Sequence, residues 1–191
     1  MADIVLRRTP ALIAEGPGWS TCAPLAAFSL RADLVAAQSA LAAAGALVPT
    51  PHPTVHLSLA PCRAFAQGEW TALWLGPDEQ LLIGPQSEGP AMAQQIEAAL
   101  GSVPHSLVDV SHRQSAVELR GPLATAMLNT GCPLDLDLAS APLGFCTRTV
   151  FAKAEIVLWR RAEHGFQLQT WRSFLPYVTG LLALAAEENG R

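Results

Sequence analysis

The sequence predicts an α+β fold in which helices pack on one face of antiparallel sheets. Short apolar runs joined by tight turns recur along the chain, and each group of runs is followed by a single helical pattern. The chain lacks the G-x-G-x-x-G pattern and the phosphate-binding loop that mark doubly wound dinucleotide-binding sheets. We therefore expect one domain over residues 25–191, with lobes at about 25–103 and 104–191, after a Pro- and Gly-rich segment over residues 1–24.

The first regular elements are expected directly after that segment. Residues 26–30 predict a strand, and Asp33 is placed to cap a helix that we expect to end at Gly45. The stretch 49–68 is so rich in proline that it excludes a helix interior or a central strand. We expect an extended loop there, with at most an edge strand at 55–59.

The remaining elements follow in three groups, each with strands before one helix. The strands are expected at residues 70–75, 80–83, 105–110, 116–120, 146–151, 155–160 and 166–170. Helices are expected to begin at Pro90, at Gly121-Pro122 and after Ser173 as the capping residue. The apolar face of the second of these helices is expected to bury Leu123, Met127 and Leu128. Hairpins alternating with single helices result from this order.

The composition excludes several classes of function. The net charge is −4 and no basic block is present, so the chain is not expected to bind nucleic acid. Its apolar runs are too short to span a membrane, and its first residues do not form a signal peptide. Hydrophobic residues make up 50% of the chain and charged residues only 15%. Either a partner covers the extra apolar surface, or the excess reflects an Ala-rich composition.

The four cysteines are scattered, without a C-x-x-C pair. Scattered cysteines in a chain with no secretion signal indicate free, mostly buried thiols in a reducing compartment. A cytoplasmic location is therefore expected.

Three sets of polar residues could support chemistry by residue type. They are the pair His52 and His56, the set Asp109, Ser111 and His112, and the pair Asp135 and Asp137. Prolines beside the histidines disfavour the helix that an i, i+4 metal pair would need. Neighbouring residues on a strand, such as Ser111 and His112, point to opposite faces. Asp135 and Asp137 alternate with leucines, which indicates a partly exposed strand or loop with the acids directed outward. We therefore expect structural roles, and no catalytic, cofactor-binding or metal-binding residue.

A large aromatic residue lies in the turn Gly16-Pro17-Gly18-Trp19. Trp19 is either a core residue or an anchor at a protein interface. The proline-rich parts of the chain suggest a docking surface that includes Trp19, Pro17, Pro51 and Pro53. On that hypothesis, deleting residues 1–20 weakens assembly without unfolding the domain.

Four phrases together resemble a known family. They are Ala-Leu-Trp-Leu-Gly-Pro-Asp-Glu-Gln-Leu-Leu-Ile-Gly at 72–84, Val-Asp-Val-Ser-His-Arg-Gln at 108–114, Arg-Gly-Pro-Leu-Ala at 120–124 and Gly-Cys-Pro-Leu-Asp-Leu at 131–136. In this order and spacing they resemble the gamma subunit of heterotetrameric sarcosine oxidase. The resemblance extends from about residue 73 to residue 182.

That gamma subunit is in turn similar to the folate-binding domain of glycine-cleavage aminomethyltransferases. Gly121-Pro122-Leu123-Ala124 and Glu163-His164-Gly165-Phe166 stand where those enzymes have a helix-opening motif and a turn before the last helix. The enzymes' longer segment before that turn, and their acidic folate-site motif, have no counterpart here. The resemblance therefore implies a retained fold without the folate-site chemistry.

The resemblance implies a non-catalytic accessory subunit of a complex that oxidises sarcosine or a related secondary amine. Its partners would be alpha, beta and delta subunits, with alpha the direct contact. FAD, FMN, NAD, tetrahydrofolate and zinc would be bound by those partners, and none by this chain. One alternative stays open: a stand-alone folate-dependent protein, either an aminomethyltransferase or an iron–sulfur-maintenance relative.

Overall fold

The computed structural model describes residues 13–47 and 56–190. In these ranges the chain forms two antiparallel sheets and four α-helices, so the predicted α+β class is confirmed. The strands are β1 (Glu15–Gly16), β2 (Trp19–Thr21), β3 (Leu25–Ala32), β4 (Ala64–Gln67), β5 (Trp70–Gly76), β6 (Glu79–Pro85), β7 (His105–Asp109), β8 (Gln114–Arg120), β9 (Cys146–Phe151), β10 (Ala154–Ala162) and β11 (Gly165–Trp171). The helices are α1 (Leu34–Leu47), α2 (Gly89–Leu100), α3 (Ala124–Asn129) and α4 (Leu175–Asn189).

Each sheet mixes strands from distant parts of the chain. The five-stranded sheet has the order β4-β5-β6-β3-β7, and the six-stranded sheet has the order β1-β2-β8-β11-β10-β9. Every neighbouring pair is antiparallel. The predicted hairpins β5–β6 and β10–β11 are present, the first turning at Pro77-Asp78.

The two sheets face each other, and each carries two helices on its outer face. Alternation along β3 shows the arrangement: Phe28 and Leu30 pack with α1 and α2, whereas Ala27 packs against the second sheet. The core between the sheets consists of Ala27, Leu73, Leu81, Ile83, Val110, Cys146 and Val157. The chain is therefore built in four layers, from helices through two sheets to helices.

The second helix pair covers the six-stranded sheet. Leu158, Phe166 and Leu168 form the sheet's outer face, and they pack with Met127 of α3 and Leu182 of α4 in one buried cluster. Because these strand residues alternate with inward-facing ones, the helices lie on one face only, as the sequence predicts.

The structure corrects the predicted pairing of residues 105–110 with 116–120. These segments become β7 and β8, but β7 pairs with β3 and β8 pairs with β11 and β2, so they form no hairpin. The chain crosses between the sheets at residues 110–113, where the Val110 N–H donates to the Ala27 carbonyl at 2.8 Å. The chain therefore changes sheet between β7 and β8. Strands β1 and β2 also place part of the segment 1–24 within the second sheet.

The predicted edge strand lies at a different place. Residues 56–59 form no strand, and the edge of the five-stranded sheet is β4 instead. The buried Gln80 side chain explains this, because its Oε1 accepts a hydrogen bond from the Ser58 N–H at 3.0 Å and its Nε2 donates to the Ser58 carbonyl. A side chain thus satisfies the backbone groups that a neighbouring strand would otherwise pair.

The helix ends agree only in part with the sequence. Asp33 does cap α1, since its Oδ1 accepts hydrogen bonds from the N–H groups of Val35 and Ala36, both at 3.0 Å. The helix nevertheless continues past Gly45 to Leu47. Ser173 is not a cap, because a 3₁₀ turn at Arg172–Phe174 leads directly into α4. Of the predicted buried face of α3, Met127 and Leu128 are buried, whereas Leu123 is 40% exposed.

Candidate functional site

Trp19 is a core residue. It lies on β2 opposite Leu119 of β8, and only 7% of it is exposed. Gly16 makes room for the indole, since a Cβ there would come within 2.6 Å of Trp19 Nε1. Of the two interpretations that the sequence leaves open, the structure places Trp19 in the core. Deleting residues 1–20 would remove this buried side chain, so we now expect the deletion to destabilise the domain as well.

The prolines of the expected docking surface are placed only in part. Pro17 is exposed in the turn between β1 and β2. Gly18 follows it with a φ of 76°, a conformation that glycine adopts without strain. Pro51 and Pro53 lie outside the described residues. A docking role for these prolines stays a prediction.

Ser111 has a structural role at the crossing between the sheets. The Ala27 N–H donates to Ser111 Oγ at 2.9 Å, and the Ser111 N–H donates to Asp109 Oδ1 at 2.9 Å. His112 is exposed on the same turn. The serine hydroxyl thus bonds to the backbone of Ala27 on β3.

Asp135 stabilises the loop between α3 and β9. Its Oδ2 accepts a hydrogen bond from Ser140 Oγ at 2.5 Å, and its Oδ1 accepts one from the Asp137 N–H at 3.1 Å. The first bond, helped by the second, lowers the pKa of Asp135 below its usual value. A carboxylate held ionised in an exposed turn is poorly suited to general acid catalysis.

His56 has two neighbours of a structural kind. Its ring packs 5.7 Å from the Phe65 ring, and its Nδ1 lies 3.2 Å from Gln38 Nε2. His52 lies outside the described residues. Among the residues that the structure describes, no group of three or more His, Cys, Asp or Glu side chains is arranged to hold a metal ion.

All four cysteines are free thiols, and two are fully buried. Burial raises the pKa of Cys22, Cys132 and Cys146, the last to about 12. These side chains are therefore protonated at neutral pH, which is the opposite of what a nucleophilic thiol needs. The sequence predicts mostly buried thiols; Cys22 and Cys62 are only half-buried.

A cleft of about 680 Å³ opens between the two sheets. Thr71 and Ile83 line it from the five-stranded sheet, and Trp159, Arg161 and Gln167 line it from the six-stranded sheet. Arg161 lies over the Trp159 ring, 5.0 Å from its centroid, and its Nη1 donates to Glu118 Oε1 at 2.9 Å. The residues that line the cleft thus offer an indole, a paired guanidinium, an amide, a hydroxyl and, from Glu69, a carboxylate.

An exposed aromatic group was not predicted from the sequence. Trp171, Phe174 and Tyr177 are 43%, 37% and 38% exposed where β11 turns into α4. Phe174 and Tyr177 pack edge to face at 6.5 Å, and the Arg113 guanidinium lies 5.5 Å from the centroid of the Trp171 ring. Exposed aromatic residues beside an arginine are typical of interface hot spots.

A model described as the sarcosine oxidase, gamma subunit family matches residues 35–188. The chain belongs to the sarcosine oxidase gamma subunit family. The resemblance seen in the sequence is therefore confirmed.

Curated relatives carry the same description. Sarcosine oxidase subunit gamma of Corynebacterium sp. (strain P-1) is 36% identical over 116 residues, which cover 61% of this chain and 56% of that protein. Sarcosine oxidase subunit gamma of Arthrobacter sp. is 39% identical over 94 residues, which cover 49% of this chain and 45% of that protein. The chain thus spans about half the length of the curated relatives it matches.

Solved structures extend the similarity to the fold. A chain of heterotetrameric sarcosine oxidase from Corynebacterium sp. U-96, solved with pyrrole 2-carboxylate, superposes with a TM-score of 0.78 at 28% identity, covering 92% of this chain and 88% of that one. Aminomethyltransferase T of the glycine cleavage system from Bartonella henselae superposes with a TM-score of 0.56 at 12% identity, covering 90% and 53%. At that identity the second likeness concerns the fold alone.

None of the helices described here is both long enough and apolar enough to cross a membrane.

Proposed function

We propose that this chain is a non-catalytic gamma subunit of a heterotetrameric complex of the sarcosine oxidase type. The observation that supports this most directly is the family match over residues 35–188, together with the likeness of the whole fold to a chain of such a heterotetramer. In the proposed complex, sarcosine or a related secondary amine is oxidised at a flavin. The one-carbon product passes to tetrahydrofolate, and oxygen takes the electrons to give peroxide.

The use of polar side chains within the chain supports a scaffold role. Ser111 and Asp135 bond to their own turns, and the buried Arg160 donates to the carbonyls of Glu163 and Leu136. The thiols of Cys132 and Cys146 are kept protonated by burial. These five polar groups thus stabilise the fold.

The proposed partners are alpha, beta and delta subunits, with alpha in direct contact. FAD, FMN, NAD, tetrahydrofolate and zinc are assigned to those partners, and the complex is assigned to the cytoplasm. The free cysteines agree with a reducing compartment.

Co-purification tests the proposal. The tagged chain is co-expressed with candidate alpha, beta and delta subunits and purified through its tag. The molar mass of the purified material is then measured by size-exclusion chromatography with light scattering. We expect a stoichiometric complex that is yellow with flavin and turns over sarcosine, whereas the chain purified alone is colourless and inactive. The proposal is wrong if the chain elutes without the other subunits, or if the chain alone binds flavin or tetrahydrofolate in a one-to-one ratio.

The alternative of a stand-alone folate-dependent protein receives no specific support. Aminomethyltransferase T shares only 12% sequence identity with this chain, so the similarity concerns the fold alone. A methylene-transfer assay with the isolated chain separates the two functions, because turnover by the chain alone would favour the alternative.

A further inference from the structure

Helix α4 carries no charged side chain on any side before its last turn. Its sequence has no charged residue from position 175 to position 186. One face of the helix packs in the core, where Val178, Leu182 and Ala185 are buried against the six-stranded sheet. A helix on the surface of a domain normally places charged residues on its opposite face, and a helix without them is normally covered on both sides.

The outward face of α4 continues the aromatic group at its start. Phe174, Tyr177 and Leu184 are exposed, and Leu181 between them is half-buried. These positions follow one another at helical spacing, so they form one stripe about 15 Å long at 1.5 Å per residue. We call this stripe, with Trp171 and Gly180, the α4 face.

Gly180 lies in the middle of the α4 face. A Cβ added there would meet nothing within 4 Å, so the backbone of the helix is open to a neighbour at this point. Glycine within a helix costs about 1 kcal/mol relative to alanine. A small residue on an exposed stripe permits the close approach of a second helix, whose side chains can fill the space.

The two ends of the α4 face differ in charge. Arg113, beside Trp171, adds a positive charge near the amino end of the helix. Glu187 and Glu188 are exposed in its last turns, where the negative end of the helix dipole disfavours acids. A partner with acidic residues near Arg113 and basic residues near Glu187 and Glu188 would therefore neutralise the charges at both ends.

We propose that the α4 face binds a helix of a partner subunit, antiparallel to α4. This inference rests on the proposed function, since it names the surface through which the chain joins its complex. The partner helix would have an apolar stripe, acidic residues opposite Arg113, and Lys or Arg opposite Glu187 and Glu188. An antiparallel orientation also places the negative end of the partner's dipole beside the positive end of α4.

The main test is the variant Gly180→Leu in the co-expressed complex. The substitution fills the open position but improves helix propensity, so the isolated chain should be at least as stable as the wild type in urea unfolding. Binding to the partner subunits should weaken about tenfold or more, since the close approach is blocked. Wild-type affinity in this variant would overturn the inference.

A second variant removes the apolar character of the α4 face. Tyr177→Lys with Leu184→Lys should also weaken assembly about tenfold or more, while the fold persists because both side chains are exposed. Val35→Lys is the matched control, since Val35 is a 66% exposed apolar residue on α1. Equal losses in the control and the double variant would contradict a specific role for α4.

The outcomes separate this inference from the proposed function. If the wild-type chain assembles with the oxidase subunits and the α4 variants assemble equally well, the inference fails and the proposed function stands. If the wild-type chain does not assemble with them, both fail. If light scattering shows that the chain alone forms dimers that the lysine variants abolish, the occupant is a second copy of this chain and the inference is overturned.

Discussion

Glu79 of β6 and Arg148 of β9 join the two sheets through an ion pair. Glu79 Oε1 lies 2.8 Å from Arg148 Nη2, although the two strands belong to different sheets. The other carboxylate oxygen lies 2.7 Å from Arg31 Nη2 on β3. Glu79 is only 8% exposed, so one buried carboxylate holds two arginines at this edge of the molecule.

Replacing Glu79 by glutamine should destabilise the chain by about 1 to 3 kcal/mol. The substitution keeps the size of the side chain but leaves two neighbouring guanidinium groups without their shared negative charge. The free energy of unfolding in urea measures the effect, with the wild type as reference.

Glu155→Gln is the matched control for that variant. Glu155 also faces Arg148, at 3.7 Å from Nε, but its side chain is 56% exposed. An exposed ion pair at this distance contributes about 0.5 kcal/mol or less. A similar loss in both variants would mean that burial of Glu79 between the sheets has no special importance.

Arg160→Met should destabilise the chain by about 2 to 4 kcal/mol. Arg160 is 1% exposed; its Nη1 donates to the Glu163 carbonyl at 2.9 Å, and its guanidinium lies 4.4 Å from the centroid of the Phe166 ring. Methionine matches the aliphatic part of the arginine side chain. It leaves the carbonyls of Glu163 and Leu136 without the hydrogen bonds that the guanidinium donates. Thermal unfolding followed by circular dichroism provides the measurement.

The adjacent arginine is the control for Arg160. Arg161 points to the opposite side of β10, and its side chain is 43% exposed beside Glu118. Arg161→Met should therefore cost no more than about 1 kcal/mol. If the two variants unfold at the same temperature, the buried contacts of Arg160 do not stabilise the fold as argued.

The sequence predicts local elements better than their partners. The hairpin of β5 and β6 is predictable because its turn, at Pro77-Asp78, lies between its strands. For β7 and β8, the apolar runs predict strands but do not specify which sheet each strand joins. That choice depends on contacts such as the pairing of β7 with β3, between residues far apart in sequence.

Residue type alone also leaves the position of Trp19 and the α4 face undetermined. Trp19 is buried because β2 pairs with β8, almost a hundred residues away, and a Gly/Pro turn cannot indicate such a partner. The α4 face does have a signal in the sequence, namely the run without charge from 175 to 186. Burial in the core explains the apolar residues Val178 and Leu182, but it does not explain the exposed apolar residues Tyr177 and Leu184 in the same run.

The thiol of Cys146 should resist alkylation while the chain is folded. Burial between the sheets raises its pKa to about 12, so at about pH 8 only about one molecule in ten thousand carries the reactive thiolate. Brief treatment with iodoacetamide followed by peptide mass spectrometry should find Cys146 unmodified in buffer and modified in urea. Rapid modification of the native chain at this residue would contradict the packing of the two sheets against each other.

The last prediction concerns His105, which links β7 to α2. Its Nδ1 lies 2.7 Å from the Val103 carbonyl, and its Nε2 lies 2.9 Å from Glu97 Oε2. The first contact, and then the second, favour the protonated ring and raise the pKa of His105 above its ordinary value of 6.5. Because the folded pKa exceeds the unfolded one, the stabilisation is complete below the unfolded pKa and is lost as pH rises through the folded pKa.

His105→Gln should therefore cost more stability at about pH 5.5 than at about pH 9, because the contribution of the charged ring declines as the pH rises. Urea unfolding of both proteins at the two pH values gives the difference directly. Glu97→Gln should remove only part of this pH dependence, since the contact with the Val103 carbonyl remains. A cost of His105→Gln that is equal at both pH values would show that the ring stabilises the link between β7 and α2 by packing alone, not through its charge.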